Sequence, residues 1–204
     1  EEKLASTIQV DKIQDTGGNT ILSSNSTGTF TYNGIAASAI DSGTLAIAQG
    51  GTGAATLLAA GLANTPSFSA KLSGDQTIAD SSYTKISFAS EEWDIGGTYD
   101  ASTNYRWTPG IVAKYNVKIL IMWNNVTAQD KKLQLAIYKN GSFYADVENI
   151  GSSQSGADPT LMINLDLSLS ASDYIEAFTY QSTGGGIEVV ANYSWFQGQK
   201  IIGA

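Results

Sequence analysis

The chain has 204 residues, with 19 acidic against 11 basic side chains, a net charge of −8, and neither cysteine nor histidine. That composition excludes a disulfide framework, a thiolate nucleophile, an imidazole base, a Ser-His-Asp triad and nearly all zinc, copper or haem ligation. The acidic balance, with no basic run longer than Lys131-Lys132, argues against a nucleic-acid backbone as partner.

No apolar stretch approaches the roughly 20 residues that span a bilayer. Ile111 to Trp123 comes nearest and is broken by Lys114, Asn116 and Lys118, so membrane insertion is not expected. The N-terminus carries no secretory signal pattern, and the missing initiating Met predicts processing or truncation. All the aromatic residues except Phe30 and Tyr32 lie beyond Pro66. Aromatics supply much of the buried area of a core. This sorting predicts a slender segment over residues 1–65 followed by a packed head over residues 66–204, which is long enough for one complete core. Single Ile, Leu, Val and Ala residues among Ser, Thr and Gly do not make a core, so the first segment is expected to pair with copies of itself or join a larger assembly.

In chain order, Ile8 to Ile13 alternates weakly, Asp15 to Asn19 reads as a Gly-rich turn, and Thr20-Ile21-Leu22 as a second short strand. Thr29 to Tyr32 is a third strand, closed by the turn dipeptide Asn33-Gly34. Ala54 to Ala63 predicts a short helix with Thr52 as cap, ended at Asn64-Thr65-Pro66 because the residue before proline avoids helical angles. From Phe68 strands dominate. Tyr115, Val117, Ile119, Ile121 and Trp123 alternate, then Leu133, Leu135 and Ile137 ahead of a Lys139-Asn140-Gly141 turn. Leu161 to Leu169 alternates strictly against Met162, Asn164, Asp166 and Ser168, and strands are expected around Tyr174 to Tyr180 and Asn192 to Ile201. Two-residue alternation without a long helical pattern describes a mostly β chain with a β-sandwich head. If the Trp195 ring is buried in the closing strand, Trp195→Ala is expected to cost about 3–5 kcal/mol.

Ordered landmarks across residues 66–204 resemble the globular head of complement component 1q, the jelly roll shared with the tumour-necrosis-factor family. Phe68-Ser69-Ala70 and Thr84 to Phe88 look like its opening strands, and Tyr99 to Asn104 with Trp107-Thr108-Pro109 like its Asn-containing loop and aromatic-Thr-Pro turn. Ala113 to Val117, Ala136 to Gly141, Leu167 to Glu176 and Ser194 to Gly198 match later landmarks in order. Ala113 and Ser172 stand where the family has Gly, and Trp107 where it has Phe. The N-terminal part resembles bacteriophage tail-fibre proteins, in Ile8 to Asn19 and in Gly43 to Ala54 around Gly50-Gly51-Thr52-Gly53. The two resemblances together imply a homotrimeric virion fibre with an N-terminal shaft, bound to other virion proteins, and a jelly-roll head at the free end.

Several clusters invite chemistry. Glu91, Glu92 and Asp94 beside Trp93 could flank a glycosidic bond or hold calcium, against the plainer reading of a solvated acidic loop. No spaced calcium loop appears, and Gly50–Gly53 and Gly184–Gly186 lack the Lys-Ser/Thr and strand-to-helix setting of a phosphate site. They read as turns. Catalytic residues, metal ions and cofactors are not expected. Trp93, Tyr99, Asn104 and Tyr105 are the candidates for contact with a host-surface glycan or protein, a ring covering a sugar face while amides and acids meet hydroxyls. Packing of these rings in the head or against a neighbour is the alternative. Leu120 and Met122, on the face opposite Ile119 and Ile121, are the candidates for the trimer interface. The expected function is a non-enzymatic receptor-binding virion fibre. A capsid or neck connector and a glycan-cleaving tailspike are the other readings.

Overall fold

The computed structural model describes residues 12–24, 30–32, 63–127, 131–150 and 158–202. The chain forms two compact units, Glu1–Ala60 and Gly61–Ala204, against an expected division before Pro66. In the first unit β1 (Lys12–Gln14), β2 (Thr20–Ser24) and β3 (Phe30–Tyr32) form an antiparallel sheet in that order. The turn between β1 and β2 is built by Asp15. One of its carboxylate oxygens accepts the Gly17 and Asn19 amides at 2.9 and 2.8 Å, and Gly18 takes a positive φ of 80°. The predicted strand from Ile8 is described only from Lys12, and the predicted helix Ala54 to Ala63 lies outside the described residues except for its last residue.

In the second unit the strands are β4 (Ser67–Lys71), β5 (Gln76–Ile78), β6 (Thr84–Lys85), β7 (Ser90–Ile95), β8 (Tyr99–Asp100) and β9 (Arg106–Trp107). They continue as β10 (Ala113–Met122), β11 (Lys132–Lys139), β12 (Ser142–Ile150), β13 (Thr160–Leu169), β14 (Ile175–Gln181), β15 (Ile187–Val189) and β16 (Trp195–Lys200). A five-stranded sheet runs β13-β10-β16-β4-β7, and a six-stranded sheet runs β12-β11-β14-β9-β8 with β6 also paired to β14. β5 and β15 form a two-stranded ribbon.

The alternating residues explain the layering. Tyr115, Val117, Ile119 and Ile121 of β10 and Leu133, Leu135 and Ile137 of β11 are buried together in one cluster with Phe68, Trp107 and Phe196. The rings of Trp107 and Phe68 lie 5.1 Å apart, as do those of Trp107 and Tyr115, so the two sheets close on each other. β10 and β13 pair over their full lengths from Ala113↔Leu169 to Met122↔Thr160. The Lys139-Asn140-Gly141 turn forms as predicted, with φ of 55° at Asn140 and 75° at Gly141, both positive as a tight hairpin requires. The closing strand differs from expectation. Ala191–Tyr193 is a 3-10 turn, and the strand starts only at Trp195. Its phase also differs, because Phe196 is fully buried while Trp195, opposite Leu120, is half-buried on the face away from the core.

Candidate binding surfaces

The structure does not gather the four receptor candidates into one site. Trp93 is 45% exposed on edge strand β7, opposite Ser69 and on the face turned away from the core. Tyr99 is a core residue. It is only 6% exposed, its ring stacks on Phe68 at 4.4 Å, and its hydroxyl donates to the Phe88 carbonyl at 2.9 Å. Burial, with the charges of Glu91 and Asp100 nearby, pushes its phenol above the normal value. Its polar neighbours in sequence predict an exposed ring, but strand pairing turns it inward, away from any surface contact.

Asn104 belongs to a clamp at the tip of the β8–β9 hairpin. Its amide donates to Asp100 at 2.6 Å, and the Ser102 and Thr103 amides donate to the same carboxylate at 3.1 and 2.9 Å. Those donors, Thr103 and Asn104 foremost, hold the Asp100 carboxyl well below the usual carboxylate range. Tyr105 takes a positive φ of 49° and lines a recess with Leu72, Asp75 and Gln76. That recess shares no lining residue with the recess of about 220 Å³ beside Trp93, which is walled by Ser67, Ile95, Asn116, Lys118 and Gln197.

The acidic cluster is part of strand β7 rather than a loop. Glu92 pairs with Lys71, and that hydrogen bond and charge, with a further bond from Ser69, lower its pKa. Asp94 accepts the Tyr99 backbone amide at 2.9 Å and so shapes the turn into β8. Glu92 and Asp94 are therefore committed separately, one to the sheet face and one to the turn into β8. Among the described residues no group of three or more acidic side chains is placed to hold a metal ion.

Leu120 and Met122 lie on the open face of the five-stranded sheet, with Leu120 opposite Met162 and Trp195. Met162, Trp93 and Ile95 are all exposed on the same face. Around them stand amides and acids. Asn116 donates to Asn164 at 2.8 Å and to Asp166 at 2.6 Å, and Gln197 donates to Ser69 at 3.1 Å.

A second surface was not foreseen from the sequence. On the six-stranded sheet the residues out of phase with the core bring Tyr138, Phe143, Phe178 and Tyr180 together, and Tyr83 lies among them. Tyr83 is 5.2 Å from Tyr180, 6.1 Å from Tyr138 and 6.4 Å from Phe143, while Tyr138 stacks on Phe178 at 4.1 Å. The signal was present in the phase of β11 and β14. Tyr138 falls out of step with Leu133, Leu135 and Ile137, and Phe178 and Tyr180 out of step with Ala177 and Thr179.

The fold of this chain is similar to that of solved structures. The Eiger TNF of S. frugiperda superposes with a TM-score of 0.52 at 12% identity, over 68% of this chain and 92% of its own. Murine APRIL superposes with a TM-score of 0.51 at 9% identity, over 66% of this chain and 98% of its own. The head is a tumour-necrosis-factor-like jelly roll. The globular domain of zebrafish complement 1qA is also similar, with a TM-score of 0.48 at 12% identity, over 67% of this chain and 98% of its own. No protein-family model matches the sequence, and no curated protein matches it either.

Proposed function

We propose that this chain is a non-enzymatic structural fibre of a bacteriophage virion, whose jelly-roll head assembles as a homotrimer and binds a host-surface receptor, glycan in nature. The N-terminal segment would join other virion proteins. One observation carries the reading: on the outer face of the five-stranded sheet partly buried Leu120, Met122 and Trp195 stand beside exposed Met162. Two unbranched Met side chains beside aliphatic and aromatic ones suit a contact between protein copies, because Met adapts to irregular surfaces. The resemblance to trimeric jelly-roll heads and the fibre-like N-terminal segments support the same reading. The absence of histidine and cysteine leaves few groups for catalysis.

The test has two measurements on the full chain. Light scattering at micromolar protein is expected to give the mass of three copies. Leu120→Asp and Met162→Asp, which bring charge onto the open face, are expected to lower that mass to one copy while the far-ultraviolet spectrum stays that of a β protein. A wild-type monomer overturns the assembly. Purified protein added to host cells is then expected to label them and to compete with phage adsorption. A trimer that does neither returns the chain to a capsid or neck connector, and release of sugar product from host polysaccharide would return it to a tailspike.

A further inference from the structure

The aromatic cluster lies on the face of the six-stranded sheet turned away from the core. Tyr83 is 40% exposed and Phe143 51% exposed, yet Tyr83 is held in place from below. Its hydroxyl donates to Gln134 at 2.5 Å, the Gln134 side chain is buried, and its amide in turn donates to Asp146. The rim carries two ion pairs and the Asp146 carboxylate, which is bound to Gln134 alone. Lys85 lies 5.6 Å from the Phe178 ring centre and pairs with Glu176, and Lys132 pairs with Glu148 at 2.7 Å.

Rings on a wet surface cost solvation unless something covers them, and the rim discriminates between possible occupants. An anionic partner would have to break Lys85–Glu176 or Lys132–Glu148 to gain from charge and would meet the Asp146 carboxylate besides, while a cationic one would find that single carboxylate already accepting from Gln134. A second copy would meet few aliphatic groups here, whereas the opposite sheet offers Leu120, Met122 and Met162. A neutral sugar asks for what is present: flat apolar rings under its C–H faces, with hydroxyl, amide and carboxylate groups at the margin for its hydroxyls. Because Tyr83 is already fixed by Gln134, little ordering remains to oppose binding.

We infer that the Tyr83–Tyr138–Phe143–Tyr180 platform is a binding site for uncharged oligosaccharide, with Tyr83 and Phe143 as the stacking rings. The inference rests on the receptor reading of the head, but it moves the glycan contact away from Trp93, Asn104 and Tyr105.

The full chain is titrated with maltohexaose and cellohexaose as neutral probes and oligogalacturonate as the anionic one, and the mass of each sample is followed by light scattering. At least one neutral probe is expected to bind, and the anionic probe to bind more weakly. Phe143→Ala and Tyr83→Ala are expected to weaken binding by about tenfold or more, since stacked rings at the centre of a contact dominate its energy. Tyr83→Phe, which keeps the ring but loses the bond to Gln134, is expected to weaken it less. Phe143 is half exposed, so Phe143→Ala should melt close to the wild type and separates lost binding from lost folding. Absence of neutral-probe binding, or variants that bind like the wild type, overturns the proposal. So does a fall in mass caused by Phe143→Ala, which would make the platform a contact between copies. If Trp93→Ala alone abolishes binding, the contact belongs to edge strand β7 and the platform is wrong. Host-cell labelling that survives in the Tyr83 and Phe143 variants also sinks the platform while leaving the receptor role standing. Neutral-probe binding through the platform without cell labelling does the reverse.

Discussion

On its outer face the five-stranded sheet sets partly buried Leu120 and Met122 beside exposed Met162 among amides, whereas the six-stranded sheet sets partly buried Tyr138 and Tyr180 beside exposed Tyr83 and Phe143 among ion pairs. Both faces come from the same device, a strand whose alternate residues enter one shared core. The core-facing sets of β10 and β11 differ little, each being mostly β-branched and leucine side chains with one Tyr in β10. The difference lies in the residues that are out of step. Flexible aliphatic and thioether groups adapt to another protein surface. Rings locked by a buried amide offer a fixed shape to a small rigid ligand. Fold and binding chemistry are thus written on alternating positions of the same strands, and the fold alone does not tell which face meets what.

Substitutions that tell inward from outward positions test this contrast most severely. Phe196→Ala removes a fully buried ring that lies 4.8 Å from Phe68 and 5.9 Å from Phe88 and Tyr99. It should cost about 3–5 kcal/mol in denaturant unfolding. Trp195→Ala, next in sequence but on the open face, should cost about 1 kcal/mol of protomer stability. Equal costs for the two would mean that the phase of β16 is wrong. A smaller effect is expected where the sheets approach each other. A Cβ on Gly198 would fall 2.4 Å from Trp107 Cζ3 and 2.8 Å from Phe68 Cε1. Gly198→Ala should therefore destabilise by about 1–3 kcal/mol, while Gly185→Ala, where a Cβ meets nothing within 4 Å, serves as the silent control. A Gly198→Ala variant as stable as the control would show that the inter-sheet contact relaxes freely.

The smallest effect concerns the loop that carries the chain from one sheet to the other. Asp173 accepts from the Asn140 side chain at 2.7 Å and from the Ser170 amide at 2.8 Å, and pairs with Lys139 at 2.9 Å. These donors, Asn140 first, lower its pKa from 3.8 to about 2. A carboxyl depressed in this way contributes fully above its unfolded value, near pH 4, and loses that contribution as the pH falls through about 2. Carboxyl carbon titration by NMR should place its midpoint near 2, and Asp173→Asn should remove that part of the acid limb of the melting curve. A midpoint near 4 would mean that the clamp does not form in solution.

Strict alternation over Tyr115 to Trp123 and Leu161 to Leu169 was enough to predict β10 and β13, since a strand buried on one face must alternate. The ordered landmarks from Phe68 to Gly198 pointed to the jelly roll for the same reason: each marks a strand or turn whose geometry leaves few residue choices. The binding surfaces were harder to read. Trp93 and Tyr99 look alike in sequence, each an aromatic beside an Asp, yet one faces solvent and the other stacks on Phe68. Only the pairing of β7 with β4 and of β8 with β9 separates them. Tyr83 sits between Ser82 and Thr84 and shows no pattern of its own. Its role depends on Gln134 and Tyr180, which reach it only through the folded sheet.

In the five-stranded sheet β4, the first strand of the head, lies between β7 and β16, the last. Ser67 to Lys71 pairs with Gln199 to Trp195, so a central ladder of the sheet joins the two ends of the domain. During translation β4 leaves the ribosome early and must wait for β16, at about 5–20 residues per second. Through that interval Phe68 and Ala70 lack the strand that covers one side of them. The five-stranded sheet therefore stays open between β4 and β10 until the final strand is made.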